Sequence, residues 1–367
     1  MKYPKIKEIH GILYLNNRIR IGSGFGYAME IDDPENKYAS LIELLNGENS
    51  IDDILKKLNN ENLTAEEIIE GINSLNSEGY LEDASTEPPA ILSKEELERY
   101  KVNINFFNTL SKESESKYDY QVKLKNSHVV IFGMGGIGSN ICMALIELGI
   151  GKITAVDFDT VELSNLNRQL LYSTSSVGKL KTDEARKRIN DFNPEIDFKA
   201  INKKISSSDE VKKILDENPC DVVVNVADFP SGYIDFWVNE ACVNKNIPIF
   251  AGVVQKRFGR VYSVLPGETA CYNCQYIQET NTAPGILEEF NAMQKNMYRT
   301  PNGALGPTCL FHGYFISYEI MRYLLNIDKI LTYNKLFEID FLTFESRYYD
   351  IEKNANCDVC NKVKVKL

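Results

Sequence analysis

The sequence predicts an α/β fold, a mostly parallel sheet with crossover helices, preceded by a small α+β domain. Three observations carry this reading. From Val129 onward, apolar runs suited to buried strands (VVIFG, KITAVDFD, DVVVNVAD, PIFAG) alternate with helical segments. Ahead of them lie short β-prone runs followed by three segments of helical spacing. Between the two regions, ASTEPPAILSKEE has the Pro-Pro and small polar composition of a linker. The expected domains are residues 1–83 and 97–367, with residues 84–96 as the linker.

Composition bounds the function. At 367 residues and 43% apolar content the chain has ample material for a packed core. No early apolar run follows a charged start and no 18-residue apolar segment occurs, so the chain reads as cytoplasmic with no membrane partner. A net charge of −11 would repel a polyphosphate backbone, which argues against nucleic acid as a partner. Eight cysteines without a secretion signal point to metal binding or buried thiols instead of a disulfide framework.

In order along the chain, ILYL, RIRIG and FGYAMEI between residues 11 and 33 predict three strands joined at Asn and Gly. Helical spacing follows in YASLIELLNG, in SIDDILKKLN behind a Ser cap, and in TAEEIIEGINSLNSEGYL behind a Thr cap with Glu67 three positions on. This order is that of a small winged-helix domain. After the linker a helix begins near Leu97, and the first strand of the large domain runs into Gly133-x-Gly135-Gly136-x-Gly138 and a further helix. Strand, glycine turn and helix together bring backbone N–H groups and a helix N-terminus to one point, a geometry that receives phosphate in Rossmann-like sheets. The acidic residue expected about 20 positions later is Asp157, followed by Asp159, at the end of the next strand, where it could hold ribose hydroxyls.

A hydride-transferring dehydrogenase fits the glycines but not the segment after them. Asn165, Arg168, Lys179 and Lys181 follow the ribose strand and are phosphate-handling groups, suited to the charge that builds on the α-phosphate and pyrophosphate as pyrophosphate is displaced. Asp228, after VVVNVA, closes the fourth strand and supplies a carboxylate for Mg²⁺. GMGGIG, VDFDTVELSNLNRQ, VGKLKT and Asp228 resemble, in order and spacing, the adenylating domain of the ThiF and MoeB family, relatives of ubiquitin-activating enzymes. The resemblance covers about residues 97 to 367 and implies binding of Mg·ATP, transfer of AMP to the C-terminal carboxylate of a polypeptide, and a homodimer. It implies that Gly133, Gly135, Gly136 and Gly138 line the phosphates and Asp157 and Asp159 flank the ribose. Asn165, Arg168 and Lys181 would contact phosphates, with Arg168 and Lys181 stabilising the transition state and Asp228 positioning Mg²⁺.

Only His10, His128 and His312 occur, which agrees with that chemistry: a terminal carboxylate, with a pKa of about 3.5, is already ionised and needs no general base. The family's Arg-Tyr-x-Arg reads here Arg99-Tyr100-Lys101-Val102, so Arg99 or Lys101 is left to replace the arginine that reaches a partner subunit's ATP. Cys271-x-x-Cys274 and Cys357-x-x-Cys360 form two hooks suited to a closed four-thiolate Zn²⁺ site. Cys309, Cys142, Cys220, Cys242 and Trp237 read as packing residues. Residues 278 to 307, weakly periodic, read as a crossover loop over the site.

Residues 1 to 85 hold eight basic and sixteen acidic side chains, which opposes DNA binding by the winged helix. The domain resembles instead the PqqD-related peptide-recognition elements, in which a leader peptide adds beside the third strand against the third helix, here Phe25 to Ile31 and about Thr64 to Ser77. The two resemblances together point to microcin C-type peptide-adenylating enzymes, acting on the C-terminus of a ribosomal precursor peptide. The rivals are adenylation of a ubiquitin-like sulfur carrier and a non-catalytic leader-binding partner of a cyclodehydratase.

Overall fold

Alternation along RIRI decides which face of the first sheet is buried. In the computed structural model, which describes residues 1–23, 28–59, 63–111, 115–296 and 303–362, strands β2 (Ile12–Leu15), β3 (Arg18–Ile21) and β4 (Met29–Asp32) form an antiparallel sheet in the order β2-β3-β4. Ile19 and Ile21 point into the core while Arg18 and Arg20 meet Glu30 on the other face at 3.0 and 2.7 Å. A short strand β1 (Pro4–Ile6) precedes this sheet and pairs with β5 (Leu81–Asp83), a strand that alternation does not reveal because three residues carry no period. Between them come α1 (Ala39–Leu44), α2 (Ile51–Lys57) and α3 (Ala65–Ser77). Ser50 and Thr64 cap α2 and α3 in reciprocal boxes with Asp53 and Glu67, as their spacing predicts. Ile54, Ile68, Ile72 and Leu75 close the core over Ile19 and Ile21.

The described residues divide into two compact units, Met1–Val122 and Lys123–Leu367. The first includes α4 (Lys94–Arg99) and α5 (Lys101–Asn108). Buried Lys7 ties the amino-terminal strand region to the end of α5, its ammonium donating to the carbonyls of Asn108 at 2.6 Å and Ser111 at 3.3 Å. Residues 85–92 carry no helix or strand. Phe25 and Tyr27, the start of the expected third strand, lie outside the described residues.

The second unit is α/β with a mostly parallel sheet. Beyond α6 (Asp119–Asn126), in which the division falls, its elements run β6 (His128–Phe132), α7 (Gly136–Leu148), β7 (Lys152–Asp157), α8 (Lys181–Phe192), β8 (Asp197–Asn202), α9 (Ser208–Glu217), β9 (Val222–Asn225), α10 (Ile234–Lys245) and β10 (Ile249–Gln255). These five strands are parallel in the order β8-β7-β6-β9-β10, and β11 (Phe258–Val264), β12 (Lys335–Asp340) and β13 (Ser346–Asp350) extend the sheet antiparallel beyond β10. Strands β6, β9 and β10 are apolar runs because helices cover both faces, and Val129, Val130, Ile131, Val222, Val223 and Val224 have no exposure. The chain leaves β6 toward β7 and β8 and returns to β9 on its other side. A crevice therefore opens at the C-terminal ends of β6 and β9.

Residues 278–307, expected as a crossover loop, are largely helical. Helix α11 (Tyr272–Thr282) and α12 (Pro284–Asn296) occupy most of that stretch, Pro284 opening α12 where its missing N–H costs nothing, and residues 297–302 lie outside the described set. Phe236 of α10 meets Tyr276 and Phe290 edge to face at 5.1 and 5.7 Å, an aromatic seam that the mixed polarity of the segment conceals. Helix α13 (Gly306–Leu325) follows, burying Cys309, His312, Gly313, Ile316 and Ile320 and exposing Phe311, Tyr314 and Tyr318 on its outer side. Among the described residues, no helix is long and apolar enough to cross a membrane.

Candidate active site and metal centre

The glycines after β6 are dictated by backbone contacts. Gly133 has φ +94°, and a Cβ on it would lie 2.8 Å from the backbone of Ala227 in the loop after β9. A Cβ on Gly138 would lie 1.8 Å from the Gly133 carbonyl oxygen, so this position excludes every side chain. Gly135, the residue before α7, has open space at its Cβ position, and a Cβ on Gly136 would lie 3.2 Å from the Arg168 Cδ. The turn thus presents the free N-terminal N–H groups of a 13-residue helix to the crevice, an arrangement suited to an anion.

Asp157, at the end of β7, clamps this turn: its carboxylate accepts the Met134 N–H at 2.6 Å and the Asp159 N–H at 2.7 Å. Burial raises its pKa, and Lys181 opposes that shift. Lys181, the first residue of α8, is buried and donates to Asp159 at 2.9 Å, while its own N–H bonds the Asp159 carbonyl. Asn165 is buried and uses its amide oxygen to accept the Glu162 N–H at 3.1 Å. Arg168 is on the surface, its guanidinium donating to the Ser164 carbonyl at 3.0 Å and the Asn167 amide oxygen at 2.8 Å. Lys179 turns away to Glu184 at 3.8 Å.

Asp228 does not close β9, which ends at Asn225; it lies three residues on, exposed in the following loop, because the backbone leaves the sheet to pass Gly133. Glycine turn, Asp157, Asp159 and Lys181 all stand at the C-terminal edge of the parallel strands, and Arg168 lies on Gly136. In the first unit, Arg99 pairs with Glu95 at 3.2 Å, Lys101 opens α5, and Val102 is 77% exposed.

Several neighbours are not anticipated from the sequence. Phe158 and Phe229, which directly follow Asp157 and Asp228, bring their rings to 5.9 Å, and the Lys204 ammonium lies 5.8 and 4.7 Å from their centroids. Their shared position behind Asp157 and Asp228 is the one available signal. Asn225 donates to the half-buried Asp235 carboxyl at 2.7 Å, and no spacing rule marks that pair. Burial raises Asp235 to about 7, with the Asn225 bond opposing and the Asp228 charge adding.

The four paired cysteines come together. Sulfur separations are 3.9 Å for Cys271–Cys274, 3.5 Å for Cys271–Cys357 and 3.4 Å for Cys274–Cys360, with all four ligand atoms within 4.8 Å of one another and all four residues buried. A tetrahedron with Zn–S bonds of about 2.3 Å has edges of about 3.8 Å, so the donor set fits a closed zinc site. Cys309, Cys142 and Cys242 are buried packing residues, and Cys220 and Trp237 pack partly buried against the core.

Two outcomes follow. Gly138→Ala should destabilise the chain by more than about 3 kcal/mol or leave it insoluble, whereas Gly135→Ala should melt like the parent in thermal denaturation. For Asp235, the native state holds the extra proton between the unfolded value of about 3.9 and its folded value of about 7, so its contribution to stability falls as pH rises through that window. Asp235→Asn should therefore be more stable than the parent at pH 8, by at most about 4 kcal/mol, with the difference vanishing near pH 4. Equal gains at both pH values would contradict this.

Comparison with known proteins places these features. A model of the ThiF family matches residues 100–359. The sulfur carrier protein adenylyltransferase of Thermus thermophilus is 30% identical over 246 residues, covering 65% of this chain and 84% of that protein. The molybdopterin-synthase adenylyltransferase of Escherichia coli is 28% identical over 247 residues, covering 67% and 91%. Among solved structures, E. coli MccB with AMPCPP and MccA aligns with a TM-score of 0.74 at 22% identity, over 98% of this chain and 99% of that one. PaaA aligns with a TM-score of 0.74 at 24% identity, over 95% and 100%.

Proposed function

The chain belongs to the ThiF family, and from that premise we propose that it transfers AMP from ATP to the C-terminal carboxylate of a ribosomally made peptide, releasing pyrophosphate. The observation that carries the nucleotide half is the glycine turn clamped by Asp157 beside Lys181 and Arg168, at the switch point of the sheet. A carboxylate oxygen of the peptide attacks the α-phosphorus, the bond to the bridging oxygen breaks, and the electron pair leaves with pyrophosphate. The turn's N–H groups and Lys181, drawn from Asp159, hold the phosphates, and Arg168 meets the charge that grows as the bond breaks. Asn165 orders the turn that carries Arg168, Asp157 and Asp159 face the ribose, and Phe158 and Phe229 offer the base a stacking surface. Asp228 would hold Mg²⁺, which supplies charge neutralisation on the phosphates. Zn²⁺ at the four cysteines would be structural, since four protein ligands leave no open position.

The peptide half rests on the first unit. The family model begins at residue 100, yet the likeness in fold to MccB, described as a microcin C7 biosynthetic enzyme, runs over nearly the whole chain and so takes in the first unit. Strand β4 is an edge of its sheet, and Lys37 just beyond it meets Glu67 of α3 at 2.6 Å, which sets the strand end beside the helix. A leader peptide would add along β4 against α3. A cytoplasmic homodimer completes the reading: Phe311, Tyr314 and Tyr318 on α13, with Leu342 and Phe344 on the β12–β13 hairpin, leave aromatic and apolar surface exposed in one copy.

Exchange of labelled pyrophosphate into ATP tests this directly. With Mg²⁺ and a panel of short peptides the exchange should depend on peptide, and Asp228→Ala should reduce it at least about 100-fold while leaving peptide binding, read by fluorescence anisotropy, unchanged. Exchange only with a carrier protein ending in Gly-Gly would move the substrate to sulfur carriers, and no exchange alongside tight leader binding would make the chain a delivery partner. Elemental analysis should find one zinc per chain, and Cys357→Ser should abolish it and lower the melting temperature.

A further inference from the structure

The segment Asn165–Tyr172 reaches the glycine turn through two side chains that the chemistry above does not use. Asn140, on the second turn of α7 and 3% exposed, donates its amide to two carbonyls from different elements, Gly136 at 2.6 Å and Arg168 at 3.1 Å. Tyr172, 6% exposed, donates its hydroxyl to the Met134 carbonyl at 3.0 Å. The N–H of the same Met134, itself without exposure, is the one bound by Asp157. The stretch carrying Arg168 is thus pinned to the turn at Gly136 and again at Met134.

Other contacts narrow the freedom of that stretch. The Arg168 stem lies on Gly136, where a Cβ would come within 3.2 Å of its Cδ. From the opposite side, the start of α13 approaches so closely that a Cβ on Gly306 would lie 2.6 Å from the Asn167 carbonyl oxygen. By contrast, the guanidinium's bonds to Ser164 and Asn167 stay within its own segment and do not fix where it stands relative to the turn. For a long side chain at the surface, that relation is set by its backbone.

We propose that Asn140 and Tyr172 are positioning residues that hold the Arg168 backbone in register with the glycine turn, so that the guanidinium meets the phosphates of a bound nucleoside triphosphate. This rests on the nucleotide reading of the site given above. Neither residue touches the phosphates; each acts through Arg168. Misplacement by a fraction of an ångström weakens an interaction aimed at developing charge more than it weakens ground-state binding.

The test is a pair of mutant cycles, Asn140→Ala and Tyr172→Phe, each made in the parent and in Arg168→Ala. Three quantities are read: equilibrium ATP affinity, the rate of pyrophosphate exchange, and melting temperature. Each single change should lower the exchange rate about tenfold with a much smaller change in the KM for ATP. In the Arg168→Ala background the same change should cost less than about twofold, because the group it positions is gone. A residue that merely supports the fold keeps its backbone contacts in both backgrounds, so equal losses in the two would overturn the proposal, as would single variants that exchange like the parent. If the parent binds no ATP, the nucleotide reading itself fails and takes this inference with it, an outcome distinct from ATP binding with additive losses.

Discussion

The contact on which the second unit turns is between two pieces of backbone. Where the chain leaves β6 it passes within van der Waals distance of the loop leaving β9, and it curls back so that the start of α7 lies on the carbonyl of Gly133. No side chain fits between these strands of backbone. The close approach allows the central strands to end at the same level and opens the crevice between them. It also moves Asp228 out of the strand and into a loop, since the residues after Asn225 must clear the turn. Asp157 and Tyr172 then hold the turn through the two backbone groups of Met134, its N–H and its carbonyl.

Much of this is legible in the sequence alone. Four glycines in six positions after an apolar run, an acidic residue at the end of the next strand, and two Cys-x-x-Cys hooks are short-range patterns that can be read without the fold. The α/β class follows from strand runs too apolar to face water on either side. What stays hidden depends on contacts between distant positions. Strands β1 and β5 are three residues long and pair across most of the first unit, so neither carries a period of its own. Helix α12 reads as a loop because the contact that seats it, Phe290 on Phe236 of α10, joins positions too far apart in sequence for one window to hold. Asn140 and Tyr172 look like ordinary helix and loop residues; their part is visible only once Gly136, Met134 and Arg168 are neighbours.

The polar groups beneath the crevice are of two kinds. Lys181 and Asp159 form a close ion pair, each compensating the other's burial. For Asp235 the Asn225 amide and its own backbone N–H offset the loss of water in part, and its pKa stands at about 7. The first arrangement places an ammonium group beside the helix N-terminus. The second leaves the charge behind Asp228 only partly formed at neutral pH.

Helix α13 lies against the glycine turn with one face and carries Phe311, Tyr314 and Tyr318 on the other. On its inner face Gly313 lies so close to α7 that a Cβ there would meet that of Asn140 at 2.9 Å, and Cys309 lies against Gly136. At these two glycines no side chain can be added between the helices, while Cys309, His312 and Ile316 pack around them. The exposed aromatic face and the glycine turn are therefore separated by the width of a single helix.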